Sequence, residues 1–487
     1  MSHPRSSRGG LWLGVDLGTQ GVRVSGHDDE GRIVTRGRAD FGPRAPRPGW
    51  MVHRPEEDWW AGTAHAIRAA MAGASGRPIR AVGLCGLFPA ACLVDESGLA
   101  LTEAILYGDT RAWREARLVE ERLGIALRGD EVAPRLLWLR AHRPAHFRRA
   151  ALALGPTGFL ALRMTGSPLI DPLTAFSWGG LVNAARDGWD GSVLERLRLP
   201  ARLFPPITPP HPMALAITPQ AAALTGLPAG TPIAAAVTDS FATLVAHRVV
   251  HPGDALAYLG SSATLLIATR ELERVMHAPA ETVGPDAPWR LAAYALNSGL
   301  LLEQTRTELC GGADFADLDE AAEGVAPGAS GLFVVPHISG RIFSGHRPSE
   351  RAAFVGLTLR HGRPHLWRAL LESVGWLLMA ADDAAPETIR TLVAGGGGAR
   401  SAVWRGMITD MLGRPQRPPV GSGASHGAAF LAAYSMGAVG AFDEIRTRWA
   451  TDEAAPADPD PERHARYREL LPVWQRLDRV LGELAAR

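Results

Sequence analysis

The 487-residue chain contains no lysine, so all 51 of its Lys-plus-Arg cations are arginines. A Walker A phosphate loop and a eukaryotic-type protein kinase each need a lysine on the phosphates. Schiff-base chemistry, pyridoxal phosphate enzymes included, needs an amine. All of these are excluded. An anionic ligand must be held by Arg, hydroxyls, backbone N–H groups or a metal ion. Cysteine is scarce as well: Cys85, Cys92 and Cys310 cannot all pair, and no Cys-x-x-Cys spacing occurs. Buried free thiols and a cytoplasmic location are expected. No apolar run is long enough to span a membrane. Met1 to Gly10 lacks the apolar core of a signal peptide and is expected to be a disordered tail. A net charge of +1, from 51 cations and 50 acids, gives no reason to expect a nucleic-acid or membrane-surface partner.

What the chain does have is apolar material, 46% of residues against 21% charged. That suffices for sizeable cores, and the length predicts two or three domains. The run Leu11 to Val15, the turn-rich Asp16-Leu17-Gly18-Thr19-Gln20-Gly21, the run Val22 to Ser25 and the piece Arg32-Ile33-Val34 read as an antiparallel meander. Helical spacing follows over Glu56 to Ala72, then strand pattern over Ile79 to Leu84, continued at Cys92 to Val94. A similar order recurs later. Ala255 to Leu259, the turn Gly260-Ser261-Ser262 and Ala263 to Ala268 predict a hairpin, Glu372 to Ala380 a helix and Thr391 to Ala394 a strand. This reads as a weak structural duplication rather than a short repeat array. The Pro-rich segment Pro200 to Pro232 suits an approach to an interdomain hinge. Ala454 to Pro461 reads as a linker before a helix from about Glu462 to Ala486.

Four motifs could carry chemistry. In Asp16-x-Gly18-Thr19-Gln20-Gly21-x-Arg23 an acid ends an apolar strand, where it is costly without a task or a cation. The glycines let backbone N–H groups approach an anion, and Thr19, Gln20 and Arg23 add donors. An ordinary hairpin turn is the simpler account of this motif alone. In Thr238-Asp239-Ser240 an acid again follows an apolar run, where it could take the proton of a substrate hydroxyl. Asp239 or Ser240 as a plain helix N-cap is the competing account. Gly260-Ser261-Ser262 could cradle a terminal phosphate or be a plain hairpin. Gly395-Gly396-Gly397-Gly398-Ala399-Arg400-Ser401 permits flat approach of a ring or phosphate, lacks dinucleotide-fingerprint spacing, and could be only a tight βα turn.

Other patterns are decoys. Gly423-Ala424-Ser425-His426-Gly427 matches a nucleophile elbow, but no strong apolar strand precedes it, so close helix packing accounts for it better. His142/His146, His247/His251 and His361/His365 are spaced by four without the Glu of a zinc hydrolase and read as structural or surface residues.

Taken together and in this order, the motifs resemble the FGGY carbohydrate kinases, over about Leu11 to Gly440. Gly49-Trp50-Met51-Val52-His53 before Pro55-Glu56-Glu57-Asp58-Trp59-Trp60 is similar to an early family segment. So are Asp95 through Tyr107-Gly108-Asp109-Thr110-Arg111, Leu136-Leu137-Trp138-Leu139, Leu162 to Gly166, and Ala353-Phe354-Val355-Gly356-Leu357 through His365-Leu366 to Glu372. Gly396 to Ser401 with Trp404, Asp410 and Gly413 resembles the family's adenosine-binding stretch.

The resemblance implies an α/β fold of two actin-like, ribonuclease H-like domains flanking a catalytic cleft. It implies a sugar-binding domain over 11–248, a nucleotide-binding domain over 249–447, and a linker and C-terminal helix over 448–487. It implies ATP and Mg²⁺ as cofactors and a small sugar as substrate, xylulose-like ketoses first; homodimerisation stays open. Asp16 would sit near Mg²⁺. Gly18, Thr19, Gln20 and Arg23 would line one phosphate loop, and Gly260, Ser261 and Ser262 a second. Gly396, Gly397 and Ser401 would face adenosine, Asp239 would be the general base, and Ser240 would lie next to the sugar.

The departures bear on substrate. Gly86-Leu87-Phe88-Pro89 stands where xylulose kinases usually carry Gly-Gln-Met-His, so Phe88 and Pro89 make that part of the pocket less polar. Tyr107 stands for the usual Trp before Asp109, and the family's Gly-Glu-Arg-x-Pro stretch is altered at Gly340 to Pro348. Two other classes remain: a sugar- or nucleotide-binding pseudokinase or sensor on the same fold, and a serine hydrolase using Ser425.

Overall fold

The computed structural model describes residues 9–210, 213, 215–277, 289–295, 297–338, 340–341, 349–385, 388–418, 423–450 and 456–485. Nearly all of the expected tail, most of the altered 340–348 loop and part of the expected linker lie outside the described residues. The chain divides into two compact units. The first draws on Met1–Arg248, Leu272–Pro288 and Ser422–Thr451, the second on Val249–Glu271, Trp289–Gly421 and Asp452–Arg487.

The first unit is built on β1 (Leu11–Gly18), β2 (Gly21–His27), β3 (Ile33–Asp40), β4 (Ile79–Gly86), β5 (Leu215–Ala216) and β6 (Pro232–Thr238), in spatial order β3-β2-β1-β4-β6-β5. β1, β2 and β3 pair antiparallel, as the expected meander. β4 joins β1, and β6 joins β4, in parallel. Strands enclosed by such parallel neighbours are covered on both faces, which is why β1 reads as one apolar run and is buried from Leu11 to Leu17. Helix α1 (Gly62–Gly73) lays Ala66, Ile67 and Ala70 on the sheet. Helix α2 (Val132–His142) lies in a neighbouring cluster with Leu136 and Trp138 buried, and α3 (Asp239–Ala246) follows β6 without a gap.

Two expectations need correction. Cys92–Val94 does not extend the main sheet; it pairs with Leu152–Leu154 in a separate small sheet. The described part of 200–232 lies within the first unit, where it supplies β5 and the helix Pro219–Thr225, rather than marking a hinge.

The second unit repeats the plan with β7 (Asp254–Leu259), β8 (Ala263–Ala268), β9 (Trp289–Ala295), β10 (Thr391–Gly395) and β11 (Gln416–Arg417), in order β9-β8-β7-β10-β11. Three antiparallel strands are again followed by parallel partners on the β7 side. The duplication read from the sequence is therefore a duplication of topology. Helix α4 (Arg363–Asp383) is longer than its apolar stretch predicted, because Pro364 can start a helix whose first N–H groups need no partner. With α5 (Ala402–Leu412) and the C-terminal helix Pro461–Ala485 it encloses Trp367, Trp376, Tyr467 and Trp474.

The helix Ala424–Ser435, read from the sequence into the second domain, packs on the first unit's sheet. A Cβ on Gly14 of β1 would come within 1.7 Å of the Ser425 carbonyl, and one on Gly83 of β4 within 1.9 Å of the Ala428 carbonyl. Only glycine permits that approach of backbone to backbone.

Candidate active site

The first unit gathers two acids and a thiol towards the ends of three strands. In the sheet register Asp16 of β1 lies beside Arg23 of β2 and Cys85 of β4, and Cys85 lies beside Val237 of β6. Asp239 follows two residues later as the first residue of α3. The Cys85 thiol donates to Asp16 Oδ1 at 3.8 Å. Burial pushes the Asp16 carboxyl up to about 6, against the pull of Arg23 and the thiol. Burial, then repulsion from Asp16, pushes Asp239 to about 7, although the Ser240 N–H and hydroxyl act to lower it. Two desolvated carboxyls, on β1 and just past β6, one raised by the charge of the other, are a usual mark of an acid–base or cation site.

The capping alternative for Asp239 and Ser240 does not hold. Thr238 is the N-cap: its hydroxyl accepts from the Phe241 N–H at 3.2 Å. Asp239 instead takes a long bond from the Ser240 hydroxyl, 3.3 Å, beside that of the Ser240 N–H.

Thr19 and Gln20 form the two-residue turn between β1 and β2. The turn is braced from behind. Trp59 donates its indole N–H to His53 Nδ1 at 3.0 Å, which leaves the proton on Nε2 to bond the Thr19 carbonyl at 3.1 Å. Burial holds this imidazole neutral, as the arrangement requires. Thr19 Oγ1 also meets the Tyr107 phenol at 3.4 Å. Phe88 is partly buried and Pro89 buried at the end of β4, joined by a cis peptide. Under them the fully buried guanidinium of Arg135, on α2, donates to the carbonyls of Pro89 (3.2 Å) and Tyr107 (3.0 Å). His53, Cys85 and Arg135 were not singled out as site residues from the sequence. Their signal is a partner more than 25 residues away, which no local pattern carries.

The second unit presents the neutral counterpart. Gly260-Ser261-Ser262 is the turn between β7 and β8, with Ser261 exposed. Ser262 Oγ accepts from the Tyr294 hydroxyl and the Asn297 N–H, both at 3.4 Å, so it also shapes the turn. β10 ends beside Tyr258 and runs into Gly396, whose φ of 83° and ψ of −178° only glycine tolerates well. A Cβ there would meet the Leu259 carbonyl at 2.6 Å. Gly397 is exposed, and Ser401 caps α5 by accepting from the Trp404 N–H at 3.0 Å. Its own O–H remains to donate. The sequence-derived residues thus form two groups: Asp16, Gly18, Thr19, Gln20, Arg23, Phe88, Pro89, Asp239 and Ser240 in the first unit, and Gly260, Ser261, Ser262, Gly396, Gly397 and Ser401 in the second.

Ser425 is buried at a helix start, 2.8 Å from the Ser25 hydroxyl, and is packing rather than an exposed nucleophile. His142 stacks on Trp138. Among the described residues no three His, Cys, Asp or Glu side chains converge as a metal cage. The buried Asp16 carboxyl is nevertheless of the kind that suits Mg²⁺, which is commonly held by one or two carboxylates completed by water and phosphate oxygens. No helix among the described residues is long and apolar enough to cross a membrane.

Comparison with known proteins bears on the family and the fold. Residues 11–246 match the N-terminal domain of the FGGY family of carbohydrate kinases, and 255–436 its C-terminal domain. A xylulose kinase of Escherichia coli is 29% identical over 98% of this chain and 100% of its own. A glycerol kinase of Alkalilimnicola ehrlichii is 29% identical over 96% and 98%. The crystal structure of a xylulose kinase from Rhodospirillum rubrum superposes with a TM-score of 0.82 at 26% identity, over 98% of this chain and all of that one.

Proposed function

The chain belongs to the FGGY family of carbohydrate kinases and is a phosphotransferase acting on an alcohol group of a sugar; from that premise, we propose that it phosphorylates a small xylulose-like ketose with Asp239 as the general base. The observation that carries the base is the placement of Asp239 at the head of α3, released from capping by Thr238 and poised near 7 by burial and by Asp16. A base with a pKa near the working pH combines a useful ionised fraction with a strong pull on the proton. The ketose is favoured by the name of the E. coli relative, which covers 98% of this chain. Against the polar stretch of that branch, Leu87, Phe88 and Pro89 favour an acceptor with fewer hydroxyls on that side.

In the step proposed, Asp239 accepts the proton of the acceptor hydroxyl as its oxygen bonds to the terminal phosphorus of ATP. The bond from that phosphorus to the ADP oxygen breaks, and ADP leaves with the electron pair. Asp16 would hold Mg²⁺, which when bound neutralises phosphate charge. Without a lysine, the phosphate-binding work in the first unit would fall to Arg23 and to the backbone N–H groups and hydroxyls of Gly18 to Gln20, and in the second unit to those of Gly260 to Ser262. Gly396, Gly397 and Ser401 would take the adenosine.

The test is ADP release with Mg²⁺-ATP over a panel of ketoses, deoxy sugars and polyols, with Asp239→Asn beside the wild type. The expected result is turnover of a ketose, reduced about 10³-fold or more in the variant while ATP still binds. Turnover retained by Asp239→Asn would remove the base, and turnover only of glycerol-like polyols would replace the ketose.

A further inference from the structure

Tyr107 is the residue of this site that the family resemblance leaves unexplained, because a Trp usually stands there. Its backbone carbonyl is pinned by Arg135, the same guanidinium that pins Pro89. The ring is half-buried on the core beneath β1, and the phenol reaches the turn at Thr19 Oγ1. At 3.4 Å that bond is long and weak, and either oxygen can be the donor. Burial raises the phenol's pKa, and the nearby Asp239 charge raises it further, so the group stays protonated. Phe88 and Pro89 offer no side-chain hydrogen bond, so hydroxyls of an acceptor need partners from other groups of this unit. A plain packing role would be filled by Phe equally well; the hydroxyl is the part that needs a reason.

Resting on the sugar-kinase reading above, we infer that Tyr107 is a specificity-determining substrate contact: its phenol exchanges the long Thr19 bond for a hydroxyl of the acceptor adjacent to the one Asp239 deprotonates. A site built to bond a hydroxyl rejects an analogue lacking it more strongly than an apolar pocket rejects a missing methylene. The acceptor class follows: a sugar or polyol with neighbouring hydroxyls, in preference to its deoxy analogue.

The experiment compares wild type and Tyr107→Phe in steady-state kinetics on D-xylulose and its deoxy analogues. Circular dichroism and Tm serve as a folding check. The expected result is a KM for D-xylulose raised about tenfold or more in the variant, with kcat changed less than about threefold and KM for Mg²⁺-ATP unchanged. For the analogue lacking the adjacent hydroxyl the difference shrinks to less than about twofold. An equal loss on every acceptor, or no loss on any, overturns the contact. Failure of the ketose reading shows separately, as a wild type that releases no ADP. The same pair is then compared by sugar-induced thermal shift across the panel, where a shift in wild type weakened in the variant supports the contact, and equal shifts or none overturn it.

Discussion

Between β1 and β2 the first unit carries Thr19 and Gln20, with Asp16 two residues ahead of the last paired position; between β7 and β8 the second unit carries Gly260-Ser261-Ser262, with no acid on the strand end. Both turns sit on the same strand order, three antiparallel strands followed by a parallel partner. The parallel partners diverge in the same sense. β4 ends in Cys85 and Gly86 and leads to Phe88 and Pro89, whereas β10 leads to Gly396 and Gly397. One scaffold thus supplies two chemistries. The first unit accepts the cost of desolvated carboxylates, visible in the raised pKa values of Asp16 and Asp239. The second offers hydroxyls and backbone that need no such compensation. On the function proposed above, charge-bearing and proton-moving work would belong with the first set, and neutral cradling of a nucleotide with the second.

The comparison breaks first at Asp16. Asp16→Ala leaves the turn geometry in place and removes the charge that separates the two turns. Its expected effect is a fall of about 10²–10³ in kcat/KM for Mg²⁺-ATP, with the Mg²⁺ concentration for half activity displaced upward. A Mg²⁺ titration indistinguishable from wild type would mean that the first turn works as the second does, through neutral donors alone.

The second set is tested at Gly396. Gly396→Ala places a Cβ 2.6 Å from the Leu259 carbonyl, at a backbone geometry that disfavours any side chain. The expected cost is about 1–3 kcal/mol in stability, with KM for ATP raised about tenfold and the KM for sugar unmoved. A variant weakened equally toward both substrates would show that the work is not divided between the two units as the comparison proposes.

How far this was legible in the sequence differs between the same elements. The hairpins and the acids after apolar runs could be read, because strand period and turn chemistry are local. The length of β3 could not. It runs to Asp40, past the Val34 where its apolar signal ends, because an edge strand can carry outward Arg36 and Arg38. The cap at Thr238 could not be chosen over Asp239 or Ser240, since all three residue types cap well and only the start of α3 decides. The packing of Gly14 and Gly83 against Ser425 and Ala428 joins residues some 350 to 400 positions apart, as does the Tyr107 to Thr19 contact on a shorter scale. Small residues and one phenol announce none of this until the chain is folded.

The smallest expected effect is the most specific to the first unit's turn, since Gly260-Ser261-Ser262 of the second carries no carboxyl. Asp239 must be ionised to accept a proton, so kcat/KM should fall as pH drops below about 7. Asp16→Asn removes the repelling charge and should move that acid limb downward. Stability should run the opposite way. Between about pH 4 and 7 the folded protein keeps a proton on Asp239 that the unfolded chain has released, so stability declines as pH rises through that window. Asp239→Asn removes the share of that decline that belongs to Asp239, leaving the shares of Asp16 and Asp171. Its Tm should match wild type near pH 4 and exceed it at pH 8 by about 1–3 °C, a gain on the order of 1 kcal/mol once solvent screening is allowed for. A variant no more stable than wild type at pH 8 would mean that Asp239 sits at ease as an anion, and the contrast between a strained acidic turn and an unstrained neutral one would be lost.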